Sequence, residues 1–96
     1  MKIIRRGLPE MSIEEFADTN DLTMVIEKGY MPLAGMRTTA WFKDAEIRDG
    51  SCLASPFGCG STEAEAIAHY ASRISGQTMV VRREYDIEVP VLTVGS

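Results

Sequence analysis

Residues 58–76 read GCGSTEAEAIAHYASRISG and decide the fold of this chain. Thr62 can accept a hydrogen bond from the backbone amide of Glu65, and the Glu65 carboxylate can return to the helix start, which makes a capping box. Gly76 suits the position just after a helix end. Between them the apolar residues follow a helical period and form one stripe: Ile67, Tyr70, Ala71 and Ile74. The stretch predicts a helix that begins at Thr62 and packs on a sheet.

A second capping box predicts a shorter helix near the N-terminus. Ser12 can cap the amide of Glu15, and Met11 can pack on Phe16 as a hydrophobic staple. We expect this helix to stop before Leu22. The residues that precede this point include three weak helix formers, Asp18, Asn20 and Asp21.

The middle of the chain has strand composition. Residues 22–27 place Leu22, Met24 and Ile26 on one face of a strand. The stretch 37–48 is strand-like at 38–42 and predicts a second strand there. The dipeptide Asp49-Gly50 suits a tight hairpin turn into a return strand at 51–57. A loop is predicted over 31–36, which contains Pro32 and Gly35, and a strand break over 58–60.

The C-terminal part predicts extended structure. Residues 78–81 favour a short strand, and the apolar residues of the tail over 84–96 alternate with polar ones. The tail is expected to add an edge strand or to cover the sheet. The predicted fold class is therefore α+β: a short N-terminal helix, a three-stranded antiparallel sheet with a second helix packed on it, and short C-terminal strands. We predict one domain over 1–96, with 1–10 as an N-terminal extension.

Charge is unevenly distributed along the chain. The net charge is −4, and residues 10–65 carry eleven acidic residues against four basic ones. The basic residues at the two ends are Lys2, Arg5, Arg6, Arg73, Arg82 and Arg83. Nucleic-acid binding depends on clustered Lys and Arg, so this balance argues against a nucleic-acid partner.

Composition also argues against metal, cofactor and membrane roles. Cys52, Cys59 and a single histidine are too few for a structural zinc site, and we expect no cofactor. Both cysteines are expected to be thiols in the cytosol, with a Cys52–Cys59 disulfide as the alternative in an oxidising compartment. No run approaches the roughly 20 apolar residues of a membrane span. We therefore expect a cytoplasmic protein.

Trp41 and Phe42 are adjacent in a predicted strand, so their side chains point to opposite faces and at most one lies under the second helix. The other needs different cover. Either the tail or the segment containing Ile3, Ile4 and Leu8 supplies it, or the ring is an exposed anchor for a partner or a second copy of the chain.

Carboxylates surround this aromatic pair in the sequence. Asp44, Glu46 and Asp49 flank the predicted hairpin, and Glu63 and Glu65 lie at the start of the second helix. They form either a solvated rim or an acidic surface that meets a basic partner. With Trp41, these five residues are the predicted partner-binding set.

Two further patterns have alternative interpretations. His69 lies opposite the apolar stripe, where it is either a solvated residue or the base of a Cys59–His69 nucleophile pair; the pair lacks an orienting third group. The glycine-rich turn over 58–62 precedes a helix, as phosphate-binding turns do, but turn chemistry and capping explain it, and Glu63 and Glu65 would repel an anion. The sequence therefore predicts no catalytic site and a protein that is not an enzyme.

The order helix, three strands, helix resembles the double-stranded-RNA-binding domain. The helix start that grips phosphate with lysines in that family reads Thr62-Glu63-Ala64-Glu65-Ala66 here, so the likeness implies a fold and not the RNA-binding function. Phe42-Lys43-Asp44 and residues 60–67 also resemble the strand-hairpin-helix core of HicB-type antitoxins.

A broader likeness runs from Met11 to about Leu92. It is carried by Ser12-Ile13-Glu14-Glu15-Phe16-Ala17, Leu22-Thr23, Phe42, Phe57-Gly58, Gly60-Ser61-Thr62, Glu65-Ala66-Ile67, Tyr70-Ala71, Ile74-Ser75, Arg83 and Val89-Pro90. On these residues the chain resembles a family of small phage and prophage proteins of unassigned function. The resemblance implies a phage accessory protein and supplies no catalytic residues.

These observations predict a small accessory protein that binds a host or phage protein with a basic surface. Inhibition of a host defence system such as CRISPR-Cas is the expected setting, and a homodimer is compatible with the sequence. The alternative is a nucleic-acid-binding module that uses the basic ends, or an antitoxin-like regulator, although no DNA-binding element is recognisable.

Overall fold

The computed structural model describes residues 11–31, 35–82, 84–91 and 94–95, which form an α+β fold with mainly antiparallel strand pairing. The two helices in these ranges are α1 (Ile13–Thr19) and α2 (Glu63–Ile74). The strands are β1 (Met11–Ser12), β2 (Met24–Met31), β3 (Gly35–Phe42), β4 (Ala45–Asp49), β5 (Cys52–Ala54), β6 (Gly58–Gly60), β7 (Thr78–Arg82), β8 (Asp86–Pro90) and β9 (Val94–Gly95).

The helix predicted from Thr62 is confirmed as α2. The Thr62 hydroxyl accepts a hydrogen bond from the Glu65 amide at 3.2 Å, and Gly76 follows the helix end with a φ of +78°. The buried residues of α2 are Ala66, Tyr70, Ala71 and Ile74. Most of the predicted stripe is therefore core, and Ile67 packs against its margin.

The short N-terminal helix is also confirmed. Ser12 is the N-cap of α1 and accepts from the Glu15 amide at 3.1 Å. The helix ends at Thr19, so that Asp18 lies in its last turn while Asn20 and Asp21 follow it. Its buried Ile13 and Phe16 join the core, where the Phe16 ring lies 6.1 Å from the Phe42 ring.

The first sheet has the strand order β2-β3-β6 and lies under α2. Its long hairpin pairs Met24 with Phe42 at one end and Met31 with Gly35 at the other. The predicted strand at 22–27 therefore extends further than expected, and the loop predicted over 31–36 is shorter, since its two ends belong to strands. Residues 32–34 of that loop lie outside the described residues.

The strand break predicted over 58–60 is wrong, because these residues form β6 beside β3. A Cβ on Gly58 would lie 2.1 Å from the backbone oxygen of Ala66, and one on Gly60 would lie 2.5 Å from the Glu65 Cβ. Glycine is needed here because α2 approaches the strand so closely, and not because the chain turns.

The strand predicted at 38–42 lies within β3, but the chain turns earlier than the predicted Asp49-Gly50 hairpin. Asp44 adopts a φ of +58° in a tight turn that separates β3 from β4 and sends the chain into a second sheet. The return strand is shorter than the predicted 51–57, since β5 spans only Cys52–Ala54. The strands predicted to form one three-stranded sheet are thus divided between two sheets, with β2 and β3 in the first and β4 and β5 in the second.

The second sheet has the order β5-β4-β7-β8. The predicted hairpin at Asp49-Gly50 is present: Asp49 pairs with Cys52, and Gly50 has a φ of +62°. The predicted strand at 78–81 is β7, and the tail contributes the edge strand β8. The tail therefore extends the second sheet.

The core lies between the helices and the inner faces of the two main sheets. Phe42 and Tyr70 meet edge to face, with ring centroids 5.3 Å apart, and each is 1% exposed. Met79, Val81 and Ile47 contribute from the second sheet. A short parallel pair, β1 with β9, brings Val94 into the same cluster.

Candidate functional site

A groove of about 460 Å³ opens on the side of the first sheet that faces away from α2. We call it the acidic groove, and it is lined by Glu27, Thr39, Trp41, Phe42, Asp44, Ala45, Glu46, Ser55, Pro56, Phe57 and Arg82. It contains three of the predicted partner-binding residues, Trp41, Asp44 and Glu46.

The floor of the acidic groove is the outer face of the β2–β3 hairpin. Side chains alternate along β3, so Thr38, Ala40 and Phe42 are buried toward α2 while Thr39 and Trp41 face outward and are partly buried. Glu27 lies opposite Thr39 in the register. The predicted division of Trp41 and Phe42 between opposite faces is confirmed.

The wall of the acidic groove is built by the turn that leaves β3. Asp44, in its left-handed conformation, turns the chain so that Ala45 and Glu46 run beside the floor, and its carbonyl oxygen accepts the backbone amide of Arg82 at 2.8 Å. The same turn therefore fixes the first residues of β4 and the last residue of β7 at the groove.

Phe57 forms another part of the wall and is 49% exposed. The guanidinium carbon of Arg73 lies 5.9 Å from the centre of its ring, and Arg73 donates to the Phe57 carbonyl oxygen at 3.0 Å. Helix α2 thus steadies this wall from behind. Trp41 lines this groove and, partly buried, packs against the core cluster, to which the tail residues Val91 and Val94 belong. The alternative cover, Ile3, Ile4 and Leu8, lies outside the described residues.

Arg82 forms an ion pair inside the acidic groove. Its Nε donates to Oε1 of Glu46, whose side chain is only 21% exposed. The hydrogen bond and then the charge of Glu46 raise the pKa of Arg82 above its usual value, so this side chain stays cationic.

The groove nevertheless keeps a surplus of negative charge. Glu27, Asp44 and Glu46 line it together with one basic residue, Arg82. Within the described part of the chain, the Glu27 and Asp44 carboxylates have no ion-pair partner. Two carboxylates without an ion pair to any described residue therefore line the same groove as the chain's single tryptophan.

The structure places the other three predicted residues away from the acidic groove. Asp49 lies at the far end of β4, next to the hairpin turn. Glu63 pairs with Lys28 at 3.4 Å, and the Glu65 carboxylate accepts the Ser61 amide at 2.8 Å. Glu63 and Glu65 therefore have local partners at the start of α2.

A row of α2 side chains occupies the outer edge of β6, which is an edge strand of the first sheet. The Glu65 carboxylate accepts the amide of Ser61, His69 Nδ1 accepts the amide of Cys59 at 3.0 Å, and Arg73 donates to the carbonyl of Phe57. Residues four apart on a helix are neighbours, so the row follows the strand. It occupies backbone groups that would otherwise be open to another strand.

This row decides between the two interpretations of His69. The Cys59 sulfur lies 3.8 Å from Nδ1, but that nitrogen already accepts the Cys59 amide. A nitrogen that accepts this bond carries no proton, and taking one from the thiol would break the bond. The geometry gives His69 a structural role at the strand edge.

Sequence reasoning missed three groove residues, Glu27, Phe57 and Arg82. Strand alternation places Glu27 on the face opposite Met24 and Ile26, so the sequence alone could have indicated that Glu27 faces away from the core. For Phe57 and Arg82 the sequence holds no such signal, because tertiary contacts bring them to the groove.

The described residues give little support to the alternative of a basic, nucleic-acid-binding patch at the two ends. Arg82 is paired with Glu46, and Arg73 is placed against Phe57. Lys2, Arg5, Arg6 and Arg83 lie outside the described ranges. Among the residues that are described, no group of three or more His, Cys, Asp or Glu side chains is arranged to hold a metal ion.

Neither described helix has the length and apolar character needed to cross a membrane. Comparisons of the chain with models of protein families, with curated proteins and with solved structures find no match. The geometry of the acidic groove is therefore the basis for a functional proposal.

Proposed function

We propose that this protein is a small non-enzymatic accessory protein that binds a basic protein partner stoichiometrically through the acidic groove. The observation that carries the proposal is the position of Trp41, a partly buried indole that lines an open groove together with two carboxylates, Glu27 and Asp44, that form no ion pair with any described residue. Tryptophan is enriched among the residues that dominate binding energy, and complementary charge steers a partner toward its site.

The chemistry of the groove favours binding over catalysis. Its titratable groups are carboxylates and one arginine, with neither a histidine nor a cysteine among its lining residues. The one Cys–His contact, Cys59 with His69, serves the edge of β6 and lies outside the groove. The groove thus offers shape, an aromatic surface and negative charge.

The biological setting follows from the resemblance to small phage proteins. Such a protein would occupy the basic surface of a host protein, and inhibition of a defence system such as CRISPR-Cas is the setting to test first. Binding to DNA or RNA is the competing function. The carboxylates argue against it, because they repel nucleic acid and attract a basic protein.

Site-specific photo-crosslinking tests the proposal in the full chain. Ser55 is exposed and lines the groove, whereas Ser72 is exposed on α2 and does not line it, so a photoreactive amino acid at either position gives a matched pair. In lysate of the bacterial host, the Ser55 variant should form one dominant equimolar adduct with a basic protein. The adduct should decrease at about 0.5 M salt, because salt screens the steering charges.

Three results would overturn the proposal. The first is equal labelling from Ser55 and Ser72, which would indicate nonspecific contact. The second is no adduct from Ser55. The third is an electrophoretic shift of DNA or RNA by the intact chain that is steeply salt-dependent, which would favour the nucleic-acid alternative.

A further inference from the structure

We infer that the acidic groove is a guanidinium-binding site, and that Arg82 is an internal occupant that an arginine side chain of the partner displaces. This inference rests on the proposed protein-binding function and names the side chain that the groove recognises.

The intramolecular pair shows that the groove accepts a guanidinium. Arg82 Nε donates to Glu46 Oε1 within the groove, at the end of the wall that Asp44 builds. The Arg82 side chain is 50% exposed, so water reaches the pair from the open side. Exposed ion pairs contribute little to folding, and Arg82 can leave Glu46 without disturbing its backbone bond to Asp44.

The remaining lining fits an incoming arginine better than an incoming lysine. Trp41 offers an aromatic surface beside the carboxylates of Asp44 and Glu46. A guanidinium is planar, stacks on an aromatic ring and presents a fork of donors to a carboxylate, whereas an ammonium is compact and strongly hydrated. The combination of indole and carboxylates therefore selects arginine.

The groove also has room and negative charge for a ligand in addition to the Arg82 side chain. Its volume of about 460 Å³ lies within the usual range for ligand pockets. The Glu27 and Asp44 carboxylates have no ion-pair partner among the described residues. One arginine can take the place of Arg82 at Glu46 while a neighbouring basic residue lies near Glu27.

Another pair on the same face of the second sheet provides a control. Arg48 pairs with Glu88 at 2.5 Å, and neither of these residues lines the groove. The two arginines are similarly exposed, at 43% for Arg48 and 50% for Arg82, whereas Glu88 is more exposed than Glu46. Substitution of Arg48 or of Arg82 by glutamine changes the net charge by the same amount. The two variants therefore separate loss of an internal competitor from a general change of charge.

The test is a fluorescence titration of the full-length protein with acetylated tetraarginine amide. Trp41 is the only tryptophan, so its emission reports the groove directly. Arg82→Gln should tighten binding about two- to fivefold, because it frees Glu46, and Arg48→Gln should bind like the unmodified protein. Glu46→Gln should weaken binding, tetralysine should bind more weakly than tetraarginine, and tetracitrulline, which lacks the charge, should not bind.

The inference is overturned if Arg82→Gln binds tetraarginine no more tightly than Arg48→Gln does, or if tetracitrulline binds as well as tetraarginine. Circular dichroism of each variant verifies that the fold is intact. A partner captured from Ser55 that tetraarginine does not displace would overturn the guanidinium site and leave the protein-binding function standing. Absence of a Ser55 adduct would instead remove the proposed function.

Discussion

The two faces of the first sheet differ in burial, and the neighbours Phe42 and Trp41 show the difference. Phe42 points inward, is 1% exposed and packs against Tyr70 and Phe16. Trp41 points outward into a groove whose carboxylates are only partly compensated. A one-residue change of position thus separates an aromatic ring that is fully buried in the core from one that packs at its margin and lines the groove that we propose as the binding site.

The largest expected effect comes from truncating these two rings. Phe42→Ala should lower the free energy of unfolding by about 3–5 kcal/mol, because it leaves a cavity in the core. Trp41→Ala should lower it by less than about 2 kcal/mol, since the ring is only partly buried, and should abolish binding of tetraarginine. Urea unfolding followed by circular dichroism measures both variants. Equal losses of stability in the two variants would contradict the different roles assigned to Phe42 and Trp41.

A smaller effect is expected at the contact between α2 and β6. In Gly58→Ala the new Cβ would lie 2.1 Å from the Ala66 oxygen and 2.3 Å from the Tyr70 nitrogen, both backbone atoms that cannot rotate away. The helix must shift, at a cost of about 1–3 kcal/mol. Gly29→Ala is the matched control within the same sheet, because nothing lies within 4 Å of its Cβ.

Thermal unfolding of the two glycine variants tests whether the close approach of α2 is the reason that Gly58 is required. The melting temperature of Gly58→Ala should fall by several degrees while that of Gly29→Ala changes little. A similar fall in both would mean that the strands require glycine for reasons other than the approach of α2.

The inner face should also respond to alkaline pH. Burial raises the pKa of Tyr70, and a hydrogen bond with the Phe42 backbone acts in the opposite direction. The unfolded state then loses its proton first, so stability is fully present below about pH 10 and falls as the pH rises toward the folded-state pKa.

Tyr70→Phe isolates this contribution. At neutral pH it should cost about 0.5–1.5 kcal/mol for the lost hydrogen bond, and above about pH 10 its stability should fall less steeply than that of the unmodified protein. Urea unfolding at a series of pH values measures both slopes. Parallel curves would contradict burial of the phenol.

The smallest effect is expected at the edge of β6. His69→Ala removes the acceptor of the Cys59 amide and should cost less than about 1.5 kcal/mol. Hydrogen exchange of the Cys59 amide should accelerate, while that of Ala40, buried in the neighbouring strand, should not. Unchanged exchange at Cys59 would remove the structural role assigned to His69.

The parts of the fold that the sequence predicts are those set by local chemistry. The capping residues Ser12 and Thr62, the apolar stripe of α2 and the Asp49-Gly50 hairpin act over a few positions, and each is confirmed. The turn at Asp44 was not predictable, because it places an aspartate at positive φ without a neighbouring glycine or proline. β6 was missed because its glycines are required by the close packing of α2 on the strand, which a local turn pattern does not reveal.

The same contrast applies to the candidate site. Trp41, Asp44 and Glu46 are close in sequence, and one turn brings them to the same groove. Glu63 and Glu65 are equally acidic but begin a helix on the opposite face of the sheet, where Lys28 and the Ser61 amide bind them. Composition identifies an acidic region, and only the topology divides it between two faces.

Two-dimensional NMR of the nitrogen-labelled full chain tests most directly the claim that the outer face binds and the inner face holds the fold. During titration with tetraarginine, the Trp41 indole N–H signal should shift and saturate at an equimolar ratio, together with the backbone amides of Glu27 and Glu46. The amides of Tyr70 and Ile74 in α2 should stay in place. A stationary Trp41 signal, or shifts concentrated on α2, would contradict the account.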